Sequence, residues 1–256
     1  MAKQIDAPPR LSDAQLHELL ALVDDADGVE LKLTVPAGSQ RSAIAALRLD
    51  PLEAQIRQVI FLDTPDLTLY EHGVVARVRR VQGRRDDSVV KLRPVVPAEL
   101  PRQLRRTPGF SVEVDAMPGG FVCSSSLKGT PPADVRGTLE GGGRLRKLFT
   151  REQRQLFAER APDGVELDDL SVLGPTFVLK LRFTPPELGR KFVAELWLYP
   201  DSSTTLELST KCRPAEAFDT AVRTRAFLAQ HGIALTGDQE AKTRHALEYF
   251  AGELAE

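Results

Sequence analysis

The chain of 256 residues is predicted to form one mostly β domain with helices at both ends. Between residues 27 and 212, short stretches alternate apolar and polar side chains, as strands with one apolar face do. Close turns separate many of these stretches, which indicates antiparallel hairpins. No long low-complexity linker divides the chain, so we expect a single domain, with its core over 28–212 and C-terminal helices over 214–254.

Helical spacing of apolar residues marks the two ends of the chain. In the N-terminal segment an apolar stripe follows Ser12 and Asp13, and either residue can cap the start of a helix. Near the C-terminus, two longer segments show the same kind of spacing. Helices are predicted over 11–25, 39–49, 133–140, 214–232 and 238–252.

The strand predictions follow from the alternation and from the turn residues between the stretches. Clusters of Gly, Pro and Ser over 117–150 predict loops around the short helix of that region. Elsewhere the alternating stretches run seven to ten residues each, a normal strand length (roughly 3–10 residues). Strands are predicted over 27–35, 55–63, 73–81, 88–95, 110–117, 153–160, 164–170, 176–183, 191–200 and 204–212.

The composition excludes several classes of protein. The formal net charge of -2 gives the whole chain no general attraction for duplex nucleic acid or for anionic membranes. Cys123 and Cys212 are far apart, which argues against a disulfide framework and against a thiolate zinc site. The four histidines show no metal-ligand spacing. Without a signal-like start or a long apolar run, we expect a soluble cytoplasmic protein.

The polar faces of the predicted strands carry charged side chains in pairs. Each pair occupies positions i and i+2, so both members project from one face of their strand. The opposite faces are strongly apolar. If the sheet closes, either the apolar faces fill a small barrel, or the charged faces line a wide tunnel and the apolar faces pack under helices. The paired positions are Glu30, Lys32, Arg77, Arg79, Lys91, Arg93, Glu113, Asp115, Lys180 and Arg182, and on the last strand Glu207 and Lys211 flank Ser209 on one face.

The mixture of cations and carboxylates on these faces indicates a particular kind of ligand. Arginine and lysine pair with phosphate oxygens, and arginine does so in a bidentate way. Carboxylates hold Mg²⁺ or Mn²⁺, which prefer oxygen ligands and bridge to phosphates. A tunnel lined by both kinds of side chain therefore favours a metal-bound polyphosphate chain.

Several stretches resemble the CYTH superfamily, the triphosphate tunnel metalloenzymes. The most specific match is FLDTPDLTLYEHGVVARVRR, residues 61–80, a strand that ends in Asp-Thr-Pro before a strand with Arg-x-Arg. The weaker pieces occur in the family's order. They are VELKL over 29–33, VVKLR over 89–93, SVEVD over 111–115, TREQRQLF over 150–157, ELDDLSVLG over 166–174, TLELSTK over 205–211, and QEAKT over 239–243 within the C-terminal tail.

The resemblance implies a closed eight-stranded antiparallel tunnel that binds a triphosphate or nucleotide with Mg²⁺ or Mn²⁺. It implies that Arg77, Arg79, Lys91, Arg93 and Arg154 bind the phosphates. Lys180 and Arg182 enlarge this basic set and are predicted to bind phosphate as well. It implies that Glu30, Glu113, Asp115, Asp168 and Glu207 hold metal. The alternative for Asp168 is a cap of a turn, and for the other four it is ion pairing with neighbouring arginines. Lys32 corresponds to the lysine of the N-terminal signature, which contacts phosphate and helps to orient the attacking water.

The chain departs from the family pattern at two acidic positions, and it presents Lys180 and Arg182 where a second acidic pair is expected. Gly28 stands where the signature has its first glutamate, and Ser209 follows Glu207 where a second glutamate is expected. Metal-dependent hydrolysis of a triphosphate, most simply inorganic triphosphate, is the first hypothesis. Because two carboxylates of the family pattern are missing, a module that binds a triphosphate without hydrolysing it is the second hypothesis. An adenylyl cyclase of the same fold is the third. The sequence leaves the choice of triphosphate and homodimer formation open.

Overall fold

The computed structural model describes residues 22–23, 25–234 and 242–255. The predicted helix over 11–25 therefore lies almost entirely outside the described residues. The strands are β1 (Gly28–Val35), β2 (Gln55–Asp63), β3 (Val74–Val81), β4 (Asp87–Leu92), β5 (Phe110–Met117), β6 (Gly120–Gly129), β7 (Ser171–Phe183), β8 (Phe192–Leu198) and β9 (Thr204–Cys212).

The strands close into a barrel in the order β1-β5-β6-β4-β3-β2-β7-β8-β9. Neighbouring strands are antiparallel except β1 and β5, which are parallel with Gly28 opposite Glu113. The expected eight-stranded, wholly antiparallel tunnel is thus wrong in its strand count and in one pairing. The closed barrel with flanking helices is confirmed.

The strand missing from the prediction is β6. Its run of three serines, residues 124–126, looks like a loop because serine has no strand preference of its own. In the barrel, β6 hydrogen-bonds to β5 on one side and to β4 on the other. Ladder bonds on both edges satisfy its backbone, so tertiary pairing overrides the weak local preference.

Two predicted strands are wrong. Residues 151–160 form a helix, because Thr150 and Gln153 make a reciprocal capping box at its start. The predicted strand over 164–170 instead contains a 3₁₀ turn, Leu167–Asp169. The helices are α1 (Gln40–Ala46), α2 (Thr68–Glu71), α3 (Arg102–Arg105), α4 (Val135–Glu140), α5 (Arg151–Arg160), α6 (Ala217–Gln230) and α7 (Lys242–Ala255).

The apolar faces of the strands point out of the barrel and pack beneath helices and connecting segments. Val78 and Val90 belong to one core with Phe157 of α5. Leu208 of β9 belongs to another with Phe227 of α6. Burial of each such side chain contributes roughly 1.5–3 kcal/mol. Since alternate residues face opposite ways, the charged faces point into the barrel, and the tunnel interpretation is confirmed.

Helix α7 packs into the interior from one side. Its residues Leu247 and Phe250 share a core with Phe61 and Trp197. Phe61 and Trp197 lie on the inward faces of β2 and β8, in the same alternation as Arg57 and Glu195. The interior is therefore divided into an apolar part covered by α7 and a charged part. None of the helices in the described part of the chain has the length and apolar character needed to cross a membrane.

Candidate functional site: the charged interior of the barrel

Asp115 of β5 is the centre of one cluster of charges. It is 1% exposed, and its carboxylate lies 2.9 Å from Lys32 Nζ, 3.3 Å from Arg93 and 3.5 Å from Lys91 Nζ. The parallel pairing of β1 and β5 sets Glu30 beside Asp115, which brings Lys32 within reach. Burial alone would raise the pKa of Asp115, but Lys32 and Lys91 lower it to about 2. Three cations thus share one buried carboxylate, and Lys32 has Glu30 as a second partner at 3.4 Å.

Lys91 carries a charge that its surroundings only partly balance. Burial lowers its pKa, Asp115 offsets part of this effect, and Lys32 and Arg93 lower the pKa further, to about 8. The ammonium is therefore charged at neutral pH at a cost in free energy. A bound anion would reduce that cost.

Three arginines, Arg57, Arg77 and Arg79, form a wall on β2 and β3. Arg79 makes a bidentate pair with Asp87, at 2.7 and 2.9 Å. Arg57 donates to the amide oxygen of Gln55 rather than to a carboxylate. Its pKa is lowered by burial and then by Arg79.

Arg77 is the least neutralised side chain of this wall. Its Nε is buried and has no hydrogen-bond partner among the described residues. Burial, followed by repulsion from Arg79, lowers its pKa to about 9. An arginine stays charged at neutral pH, so the lowered pKa reflects a buried cation without a matching anion. Such a group is a strong attractor for phosphate oxygens.

A second cluster joins β7, β8, β9 and the first residue of α7. Glu195 and Glu207 are directly opposite each other on β8 and β9. Lys180 Nζ lies 2.6 Å from Glu195, and Lys242 Nζ lies 2.5 Å from Glu195 and 2.7 Å from Glu207. Burial would raise the pKa of Glu195, but Lys242 and Lys180 hold it well below its ordinary value.

The open end of the interior is a cavity of about 1010 Å³. On this side Lys211 lies 2.5 Å from Glu113 and 3.8 Å from Glu30. Arg182 also lines the cavity and has no ion-pair partner among the described residues. The space is large enough for a nucleotide as well as for inorganic triphosphate, so its size does not select between these ligands.

Comparison with solved structures finds relatives in fold. A putative adenylyl cyclase from Hippeastrum, described with a dominant triphosphatase activity, superposes with a TM-score of 0.61 at 15% identity, covering 86% of this chain and 95% of that chain. A putative adenylate cyclase from Bacillus halodurans gives a TM-score of 0.58 at 12% identity, with 86% and 97% covered.

The chain shares the barrel fold of these two proteins, which agrees with the resemblance of its sequence to the CYTH superfamily. At these identities the likeness shows the fold alone. No family model matches the sequence, and no curated protein matches it. The residue types of the interior therefore have to indicate what this barrel binds.

The interior carboxylates do not fit a resident divalent ion in this arrangement. Each of Glu30, Glu113, Asp115, Glu195 and Glu207 is paired with at least one lysine. Within the part of the chain that the structure describes, no three His, Cys, Asp or Glu side chains are grouped to hold a metal ion. Gly28 and Ser209 lack the carboxylates that would enlarge the set.

Most of the predicted site residues share the interior, and two do not. Arg154 lies on α5 and is exposed, because the capped helix replaces the predicted strand. Asp168 lies outside the barrel, where it accepts the backbone N–H of Arg146 at 2.8 Å and pairs with its side chain at 3.2 Å. The residues brought together are Glu30, Lys32, Arg77, Arg79, Lys91, Arg93, Glu113, Asp115, Lys180, Arg182 and Glu207.

The prediction missed interior residues of two kinds. Arg57 lies near the start of β2, a strand that the sequence predicted. It is four residues before Phe61, so strict alternation places both side chains on the same face of the strand. Glu195 lies on the strand predicted over 191–200 and faces the same interior as Glu207, but it was not among the predicted site residues. Lys242 could not be found from strand alternation, because it belongs to a helix that follows the barrel strands.

Proposed function

We propose that this CYTH tunnel binds a triphosphate and hydrolyses it, most simply inorganic triphosphate to phosphate and pyrophosphate. The observation that carries the binding is Arg77, a buried cation without a carboxylate, beside Arg57 and Arg79. An extended polyanion matches this wall better than a single phosphate does, because cations line several neighbouring strands. The triphosphatase activity described for the Hippeastrum protein supports the hydrolytic part.

The chain's own side chains supply binding and orientation. Arg77, Arg79, Lys91 and Arg93 would contact the phosphate oxygens and neutralise charge that develops on them. Lys180 and Arg182 extend this set toward the open end. Water attacks the terminal phosphorus, the P–O bond to the bridging oxygen breaks, and pyrophosphate leaves. Mg²⁺ or Mn²⁺ is expected to enter as the complex with the triphosphate, since phosphate oxygens supply ligands that the paired carboxylates do not.

The test is phosphate release from tripolyphosphate by the purified protein, with Mg²⁺, with Mn²⁺ and with chelator. Arg77→Met is compared with Arg160→Met, an exposed arginine of α5. We expect metal-supported release that falls at least about a hundredfold in Arg77→Met, as for loss of one charge-stabilising donor, and is unchanged in Arg160→Met. Equal release by the two variants would refute the role given to Arg77.

A second candidate is a module that binds triphosphate without turning it over. The specific observation in its favour is that every interior carboxylate named above already has a lysine partner. In that case tripolyphosphate raises the melting temperature of the protein while no phosphate is released under any metal condition.

A further inference from the structure

Glu195 and Glu207 need a cation between them. They are directly opposite on neighbouring antiparallel strands and both face the interior. Side chains in such positions have Cβ atoms only about 5 Å apart, and two like charges there destabilise the sheet. In a tunnel that held a divalent ion, such a pair of carboxylates would be a natural ligand set.

The chain places its own cation at this position. Lys242 Nζ lies 2.5 Å from Glu195 Oε2 and 2.7 Å from Glu207 Oε1, so one ammonium bridges the two carboxylates. The same nitrogen lies 5.0 Å from the centre of the Trp197 ring, within cation–π range. Lys180 occupies the other oxygen of Glu195 at 2.6 Å.

The anchoring of Lys242 makes this arrangement persistent. Lys242 is the first residue of α7. Ala246 and Leu247, one turn later, are at most 1% exposed in the core that contains Trp197. The helix therefore holds the ammonium of Lys242 in the charged part of the interior. Attraction to Glu195 and Glu207 more than offsets the effect of burial, so the pKa of Lys242 is raised and the ammonium stays charged.

We propose that Lys242 is a tethered cation that takes the place of a divalent metal ion between Glu195 and Glu207, and that triphosphate binding in this tunnel is therefore independent of added metal. The second part rests on the proposed function. The first part concerns only the protein and the metal, so the two can fail separately.

The experiment measures Mn²⁺ binding by the loss of the free Mn²⁺ signal in electron paramagnetic resonance, without triphosphate. Wild type is compared with Lys242→Ala, with the double variant Lys242→Ala/Glu207→Gln, and with Arg244→Ala. Arg244 is the matched control, since it lies on the same helix, is exposed and pairs with Glu248. We expect Lys242→Ala to bind one Mn²⁺ at least tenfold more tightly than wild type, the double variant to lose this gain, and Arg244→Ala to behave as wild type.

Equal Mn²⁺ affinity of wild type and Lys242→Ala, or a gain that persists in the double variant, overturns the proposal. If Lys242→Ala does not fold without metal, Lys242→Gln is used instead, because it keeps a donor but removes the charge. Its melting temperature should rise with Mn²⁺ when that of wild type does not. If Mn²⁺ does not raise the melting temperature of Lys242→Gln either, the proposal that Lys242 is a tethered cation is overturned.

A separate titration of wild type with tripolyphosphate in chelator tests the second part. We expect the melting temperature to rise by the same amount with chelator and with Mg²⁺, within about 1 °C. A rise seen only with Mg²⁺ contradicts metal-independent binding. No rise in either condition, together with the Mn²⁺ gain of Lys242→Ala, would refute the proposed function and leave the tethered cation standing.

Discussion

Replacing Asp115 by asparagine removes the carboxylate that Lys32, Lys91 and Arg93 share, and leaves Glu30 as the partner of Lys32. The pKa of this carboxyl falls from its ordinary 3.8 to about 2 in the folded protein. At about 1.4 kcal/mol per pH unit, that difference corresponds to a stabilisation of roughly 2.5 kcal/mol at neutral pH. Asp115→Asn should lose at least this amount, because it leaves three cations facing one another. For a domain of this size the melting temperature should fall by about 5–10 °C.

The same carboxyl predicts how wild type responds to acid. Its folded pKa is lower than its unfolded pKa, so its stabilisation is present above about pH 4 and is lost as the pH falls toward 2. This acid-dependent loss should be smaller in Asp115→Asn, which has no carboxyl to protonate at this position.

The assay is thermal unfolding at neutral pH, with and without tripolyphosphate. The control is Glu140→Gln, whose partner Arg136 is exposed on α4, and whose melting temperature should change by less than about 1 °C. Tripolyphosphate should stabilise Asp115→Asn more than wild type, because the added anion replaces the missing carboxylate. An Asp115→Asn protein that unfolds within 1 °C of wild type would show that Asp115 does not organise the three cations, and the reasoning would be refuted.

Two further predictions concern the cations. Because the pKa of Lys91 is lowered to about 8, its charge is present below that pH and is lost above it, so tripolyphosphate affinity in a calorimetric titration should weaken as the pH rises through 8. Lys91→Met should flatten this dependence, and an equally steep pH profile in the variant would rule out Lys91 as its source. Arg154→Ala should bind tripolyphosphate with wild-type affinity, since Arg154 is exposed on α5. A tenfold loss would contradict the placement of Arg154 outside the tunnel.

The strands that carry the site could be predicted from the sequence because their alternation is regular. Arg77 and Arg79 share one face of β3, and Glu207 and Ser209 share one face of β9, as spacing by two residues requires. Alternation alone left open which face is inside. The structure decides this, because the apolar faces are covered by α5 and α6.

The parts that could not be predicted depend on contacts between distant segments. The capping box of Thr150 and Gln153 fits a helix, but the alternating letters that follow it also fit a strand. The bond from the Gln153 side chain to the backbone of Ser88, 65 residues away, is visible only in the folded chain. Lys242 lies in a segment matched only as part of the tail, and its partners are 47 and 35 residues away. Spacing rules describe one element at a time, so they do not identify such residues.

The acidic and the basic side chains of the interior are neutralised to different extents. Where Glu195 and Glu207 would repel each other, the chain supplies Lys242 from a helix outside the sheet. Where Arg57 and Arg77 repel each other, no carboxylate in the described residues forms an ion pair with either. Carboxylates that already have a lysine gain little from an added cation, whereas buried arginines without an anion gain much from an added phosphate. The arrangement of charge therefore favours the proposed anionic ligand independently of the likeness in fold.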